Sequence, residues 1–206
     1  MSKHDHYYST QPSSVSAPQT FATVLCGCRL TLTTDHGVFS RGKVDRGSAL
    51  LATAAEIPPH ARVLDLGCGY GVVGICIAKS EPTALVWMVD VNERAVSLAI
   101  GNTKQNGVFD RVITLQSDGA AALDPGQRFD VVLLNPPIRA GKETVFRLYR
   151  EAREVIAQQG RLYVVIQKKQ GAESSAAYLQ TLFADVSVIA KEQGYRVLCC
   201  QVENNR

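Results

Sequence analysis

No stretch of this sequence approaches the roughly 18 consecutive apolar residues that suggest a membrane span. Its first residues, MSKHDHYYSTQPSS, lack the apolar core of a secretory leader. The expected compartment is therefore the cytoplasm, with no membrane partner. Charge of one sign is also lacking: 22 Lys and Arg face 19 Asp and Glu, a net +3. That balance does not by itself announce a nucleic-acid partner, so the distribution of charge has to be read instead. No Cys-x-x-Cys occurs among Cys26, Cys28, Cys68, Cys76, Cys199 and Cys200. Most of these lie in apolar runs, which suits reduced, packing thiols better than metal ligands or disulfides. Two histidines near the start, His4 and His6, do not make a metal site, and none is expected. No internal repeat is found, which argues against a solenoid.

What is present fits one domain of 206 residues, long enough to bury a proper core. Residues 1–20, rich in Ser, Pro, Gln and Tyr, read as an extended or disordered arm, and residues 21–206 as a single domain. Within it, 21–40 predicts a hairpin around Gly27, and 47–57 a helix stopped by Pro58-Pro59. From residue 61 strands and helices alternate. Strands are expected at 61–67, 84–91, 111–117, 129–135 and 161–167, with helices at 71–80, 92–107, 142–159 and 173–184. The segments 185–192 and 195–203 follow as two strands with no helix between them, so 190–195 reads as a hairpin turn and one strand is antiparallel. Near-continuous apolar strands in such an alternation mean an α/β sheet covered on both faces.

Open α/β sheets bind ligands at the carboxyl ends of their strands. The first such end is VLDLGCGYGVVG, with Asp65 before a turn carrying Gly67, Cys68, Gly69 and Gly71. Gly69-x-Gly71-x-x-Gly74 also satisfies the dinucleotide fingerprint, but Asp65 argues against a pyrophosphate, which its carboxylate would repel. A cationic ligand is attracted there, and S-adenosylmethionine carries a sulfonium and an ammonium. The second strand ends in Asp90-Val91, where a carboxylate can accept both ribose hydroxyls, and the third in Ser117-Asp118-Gly119, where Asp118 can accept from the adenine amino group.

The fourth strand, FDVVLLN, ends abruptly in Asn135-Pro136-Pro137. Proline fixes its own φ and restricts the residue before it, so the Asn135 side chain and the Pro136 carbonyl point in fixed directions. Both offer acceptors. An amine attached to a base or amide is a poor nucleophile, and two acceptors can grip its N–H groups and orient it towards a sulfonium methyl.

VLDLGCGYG, VDVN, SDG and NPPI, in this order and spacing, resemble class I S-adenosylmethionine-dependent methyltransferases, and more narrowly the small-methyltransferase-domain family that includes bacterial 16S rRNA guanine-N2 methyltransferases. GVFSRGKVDRGSALL (37–51) and VVIQKKQGA are similar to that family too. The resemblance implies a seven-stranded Rossmann-like sheet, mostly parallel with one antiparallel strand, over residues 61–206, with residues 21–57 as an N-terminal extension. It implies cofactor contacts at Asp65, Gly67, Gly69, Asp90 and Asp118, and a segment 39–48 over the cofactor that brings Asp45 and Gly47 to the pocket. It places Asn135, Pro136 and Pro137 at the target nitrogen. Many N-methyltransferases carry an aromatic after Asn-Pro-Pro to stack the target base; here it is Ile138. The longer rRNA enzymes also have a second domain, for which this sequence has no room.

The favoured acceptor is guanine N2 of ribosomal RNA, on naked RNA or on the small ribosomal subunit. Phe39, Arg139, Lys142 and Lys168 are the candidate RNA contacts. Arg147, Arg150 and Arg153 read instead as a solvated helix face, because Arg147–Glu151 and Arg150–Glu154 are i,i+4 pairs. Tyr7 and Tyr8 in the arm could stack on bases. Rivals are a protein glutamine or DNA adenine N-methyltransferase, a NAD-binding oxidoreductase, and an RNA-binding protein without activity. Oligomeric state is not legible.

Overall fold

A computed structural model describes residues 14–202. His4, His6, Tyr7 and Tyr8 lie outside the described residues.

An antiparallel ribbon of β1 (Gln19–Leu25) and β2 (Cys28–Thr34) precedes α1 (Arg46–Ala54). The alternating core follows as β3 (Arg62–Leu66), α2 (Val72–Ser80), β4 (Leu85–Asp90), α3 (Glu93–Gln105), β5 (Val112–Gln116), β6 (Phe129–Leu134), α4 (Lys142–Val155), β7 (Ile156–Gln167), α5 (Ala172–Leu179), β8 (Asp185–Glu192) and β9 (Tyr195–Gln201). The main sheet has seven strands in the order β5-β4-β3-β6-β7-β9-β8. All neighbours are parallel except β9, which runs against both β7 and β8.

Successive residues of one strand serve opposite faces. Val63, Val131, Leu133, Tyr163 and Val165 pack with the ribbon, α1, α2 and α3. Leu64, Leu66, Val132, Leu134 and Leu162 pack with α4 and α5. Because both faces are buried, the central strands are largely apolar, as expected, with Asp65 the buried exception near the end of β3. All six cysteines are free thiols.

The ribbon is fastened to α3 by two asparagines one turn apart. Asn102 accepts from the Thr33 N–H at 2.8 Å and donates to the Thr33 carbonyl at 2.9 Å. Asn106 does the same for Thr31, at 3.0 and 2.7 Å. A carboxamide presents one donor and one acceptor side by side, as a strand backbone does, so this pair completes the hydrogen bonding of β2.

Three expected boundaries move. The helix predicted to run to 159 stops at Val155, and Ile156 is extended and pairs with Phe129 at the base of β6. Gly160 lets this segment close on the sheet: a Cβ there would lie 2.9 Å from the Phe129 carbonyl. The helix expected to reach 184 ends at Leu179, where tight turns bury Phe183 and hand the Ala184 N–H to the Gln201 carbonyl. The arm expected over 1–20 is already a strand at Gln19, and just before it Asp35 is clasped: Ser16 Oγ and the Ala17 N–H both donate to its carboxylate at 2.6 Å. Arg94 adds its charge 3.8 Å from the same group and donates to the Ser14 carbonyl at 2.8 Å.

Candidate active site

The strand order reverses between β3 and β6, with β4 and β5 on one side and β7 on the other. At such a point the helices diverge to opposite faces and leave a crevice at the carboxyl ends. Here it is a cavity of about 370 Å³, a size suited to a nucleoside-sized ligand.

Asp65 forms part of its wall and is almost fully buried. One carboxylate oxygen accepts the Gly74 N–H at 2.9 Å, a donor of the first turn of α2. Burial pushes its carboxyl up to about 7; the Gly74 bond opposes the rise and the Asp90 charge adds to it. A pyrophosphate at this turn would meet a carboxylate and find the Gly74 donor taken. Gly67 turns the chain with φ +76°, and a Cβ there would meet nothing within 4 Å, so the turn leaves open space beside Asp65 for a ligand. Asp90 accepts from the Gly69 N–H at 2.8 Å and from the Asn92 N–H at 2.9 Å, and burial raises its pKa too.

Asn92 caps α3 and also donates to the Gly37 carbonyl at 2.9 Å, which ties the 37–48 segment over the cavity. Val38 and Phe39 line the wall there. The segment ends in Asp45, the cap of α1, whose carboxylate accepts the Ser48 N–H at 3.0 Å.

These two residues hold the corner. Asn135 Nδ2 donates to Ser48 Oγ at 2.9 Å and to Asp45 Oδ2 at 3.3 Å. A carboxylate only accepts, so it fixes which way the amide faces, and the carbonyl oxygen of Asn135 is turned to the other side. Pro136 and Pro137 line the cavity beside it. The Pro136 carbonyl accepts the Ile138 N–H at 2.9 Å across Pro137, whose φ −75° and ψ 79° make an inverse γ-turn. One of the two Pro136 lone pairs is thereby used and one is left.

At the far end Ser117, Asp118 and Gly119 line the cavity together with Val91 and Cys68. Ser117 Oγ donates to the Gly119 carbonyl at 2.8 Å and accepts the Ala122 N–H at 3.0 Å, which rounds the loop. Arg147 faces the cavity from α4 and bridges Asp118 at 2.6 Å and Glu151 at 2.7 Å. The solvated-face expectation for Arg147 is thus corrected. The expected Arg147–Glu151 pair forms, whereas Arg150 donates to the Tyr178 hydroxyl in place of its expected Glu154, and Arg153 donates to the Leu182 carbonyl.

Several expected site residues stand back from the wall. Ile138 packs against the core on the α4 side. Gly47 lies in α1 against the Tyr195 ring, where a Cβ would come within 3.0 Å, and Gly71 is the turn residue before α2. Asp45 acts on the cavity through Asn135. Arg139, Lys142 and Lys168 are exposed outside the lining. Sequence reasoning missed Ser48, Thr144, Arg147 and Leu148 as site residues. Ser48 alone left a trace, as the third residue after a capping Asp. The others are ordinary helix positions until α4 is docked.

A carboxylate-tipped glycine turn, a second carboxylate one strand away and an amide–proline corner at the switch point define an S-adenosylmethionine-dependent methyltransferase. The cavity's residues fit that cofactor: acids for its cationic and hydroxyl groups, and open glycine backbone between them. The chain belongs to the Methyltransferase small domain family, whose model matches residues 29–199. It is 44% identical over 195 residues to the uncharacterized protein YbxB of Bacillus subtilis, covering 94% of this chain and 96% of that one. It is 32% identical over 168 residues to the ribosomal RNA small subunit methyltransferase C of Pseudomonas entomophila, covering 78% of this chain and 48% of that one. Among solved structures it resembles the Thermus thermophilus 16S rRNA N2 G1207 methyltransferase (RsmC) in complex with AdoMet and guanosine, at TM-score 0.81 and 25% identity, over 93% of this chain and 52% of that one. The chain thus spans about half the length of these two ribosomal RNA methyltransferases.

Proposed function

We propose that the protein methylates the exocyclic amine of guanine, N2, in ribosomal RNA, acting in the cytoplasm on RNA or the small ribosomal subunit. The carrying observation is the Asn135 amide. Both of its N–H groups are committed to Ser48 and Asp45, so only its oxygen faces the target. An acceptor so fixed selects a donor, and the guanine amine has two N–H groups to give. Binding one to Asn135 and the other to the remaining lone pair of the Pro136 carbonyl orients the nitrogen and supports the positive charge it develops. Asp45, behind the amide, strengthens its oxygen as an acceptor.

The cofactor supplies an electrophilic methyl group. With the cofactor bound, the nitrogen held by Asn135 and Pro136 would receive that methyl group, and the amine proton would then leave to solvent. Phe39, which also lines the cavity, provides an aromatic surface for the base. Arg139, Lys142 and Lys168 meet the phosphates. The T. thermophilus neighbour, solved with guanosine, supports this reading of the acceptor.

Nucleoside mass spectrometry of ribosomal RNA tests it. Loss of one N2-methylguanosine on deleting the gene, restored by the wild type and not by Asn135→Ala, is the expected result. An unchanged nucleoside profile would overturn the assignment.

A further inference from the structure

We infer that Arg147 is a positioning residue that sets the preference for adenine at the far end of the cavity, a role that rests on Asp118 meeting the adenine amino group. The loop after β5 is rounded by its own Ser117 bonds and is fixed further from outside. It is clamped from α4 at two places, Asp118 and Ala120, and Arg147 and Glu151 join the two clamps within the helix. Arg147 grips Asp118 Oδ1 at 2.6 Å. Arg147 also grips Glu151 Oε1 at 2.7 Å. Glu151 Oε2 in turn accepts the Ala120 N–H at 3.0 Å. Gly119, at φ +59°, has no side chain because Glu151 occupies the space a Cβ would need.

A carboxylate has two oxygens and about four acceptor positions. With Oδ1 held, Oδ2 remains for a ligand, in a direction fixed by the guanidinium fork. Arg147 therefore aims Asp118. Adenine offers an amino donor at this position, whereas hypoxanthine offers a carbonyl oxygen that a carboxylate repels. Asp118 is mostly exposed and the pair adds little to stability by itself. Its effect belongs in ligand selectivity.

Calorimetry with S-adenosylhomocysteine and S-inosylhomocysteine reads this directly. The wild type is expected to favour the adenosyl compound by roughly tenfold or more, the scale of one charged hydrogen bond. Arg147→Gln should cut that preference about fivefold and raise the cofactor KM by a larger factor than it lowers kcat; Arg147→Lys should restore part of the preference. Glu151→Gln, which keeps the helix and weakens the clamp, should fall between. An unchanged preference in Arg147→Gln overturns the inference, and so does tighter adenosyl binding, which would make Arg147 a competitor of adenine. Asp118→Asn separates the two levels: if it leaves the preference intact, the assignment of Asp118 to adenine fails first.

Discussion

Asp65 is the residue on which, in the proposed site, cofactor affinity would turn. Its carboxyl sits near 7 because it is buried, so below that value the free protein holds a proton there. Cationic groups of the cofactor bind the charged form, and binding must release the proton. Affinity for S-adenosylmethionine should therefore weaken as pH falls below about 7, approaching tenfold per pH unit. Calorimetry in buffers of different ionisation enthalpy should detect the released proton, and Asp65→Asn should flatten the profile. The sign for stability is opposite: a carboxyl raised on folding stabilises the cofactor-free fold at low pH and loses that contribution as pH rises through about 7. Ser48 offers a second test. Ser48→Ala removes one of the two partners that orient Asn135, and should lower kcat roughly tenfold while cofactor affinity holds within about twofold. Asp65, Asp90 and Asn135 were legible because each ends a strand at a place the chain order already marks. Ser48 and Arg147 were not, since their roles depend on which helix is docked beside which loop.

Among elements, the ribbon shows how far a local clasp carries. Burial alone would raise the Asp35 carboxyl, but hydrogen bonds from Ser16, Ala17 and His36, with the Arg94 charge, outweigh it and bring the pKa below its usual value. A depressed carboxylate stabilises above the unfolded value, near 3.8, and that contribution fades as pH falls through the lower folded value. Asp35→Asn at neutral pH should cost about 1.5–3 kcal/mol. Thermal melting should show a drop of about 4 °C or more, and the gap to wild type should narrow in acid. Strand and helix types were readable from period and turn residues throughout. Element ends were less so, as at Val155: the apolar face of α4 continues through Ile156, and only pairing with Phe129 makes that residue extended.

The whole molecule carries a modest charge, +3, so the proposed RNA binding would have to come from a few placed cations. If Arg139, Lys142 and Lys168 each meet a phosphate, log K against log salt for a single-stranded RNA should have a slope of about −2. A flat dependence would remove them from the interface. One last consequence concerns how copies of the chain avoid each other. Asn102 and Asn106 occupy the amide and carbonyl groups of Thr31 and Thr33, so over that stretch the rim of β2 is closed to a stranger. With alanine at both positions that rim becomes a template for strand addition. Such a chain should elute as larger species whose share grows with concentration, so these asparagines guard solubility as well as shape.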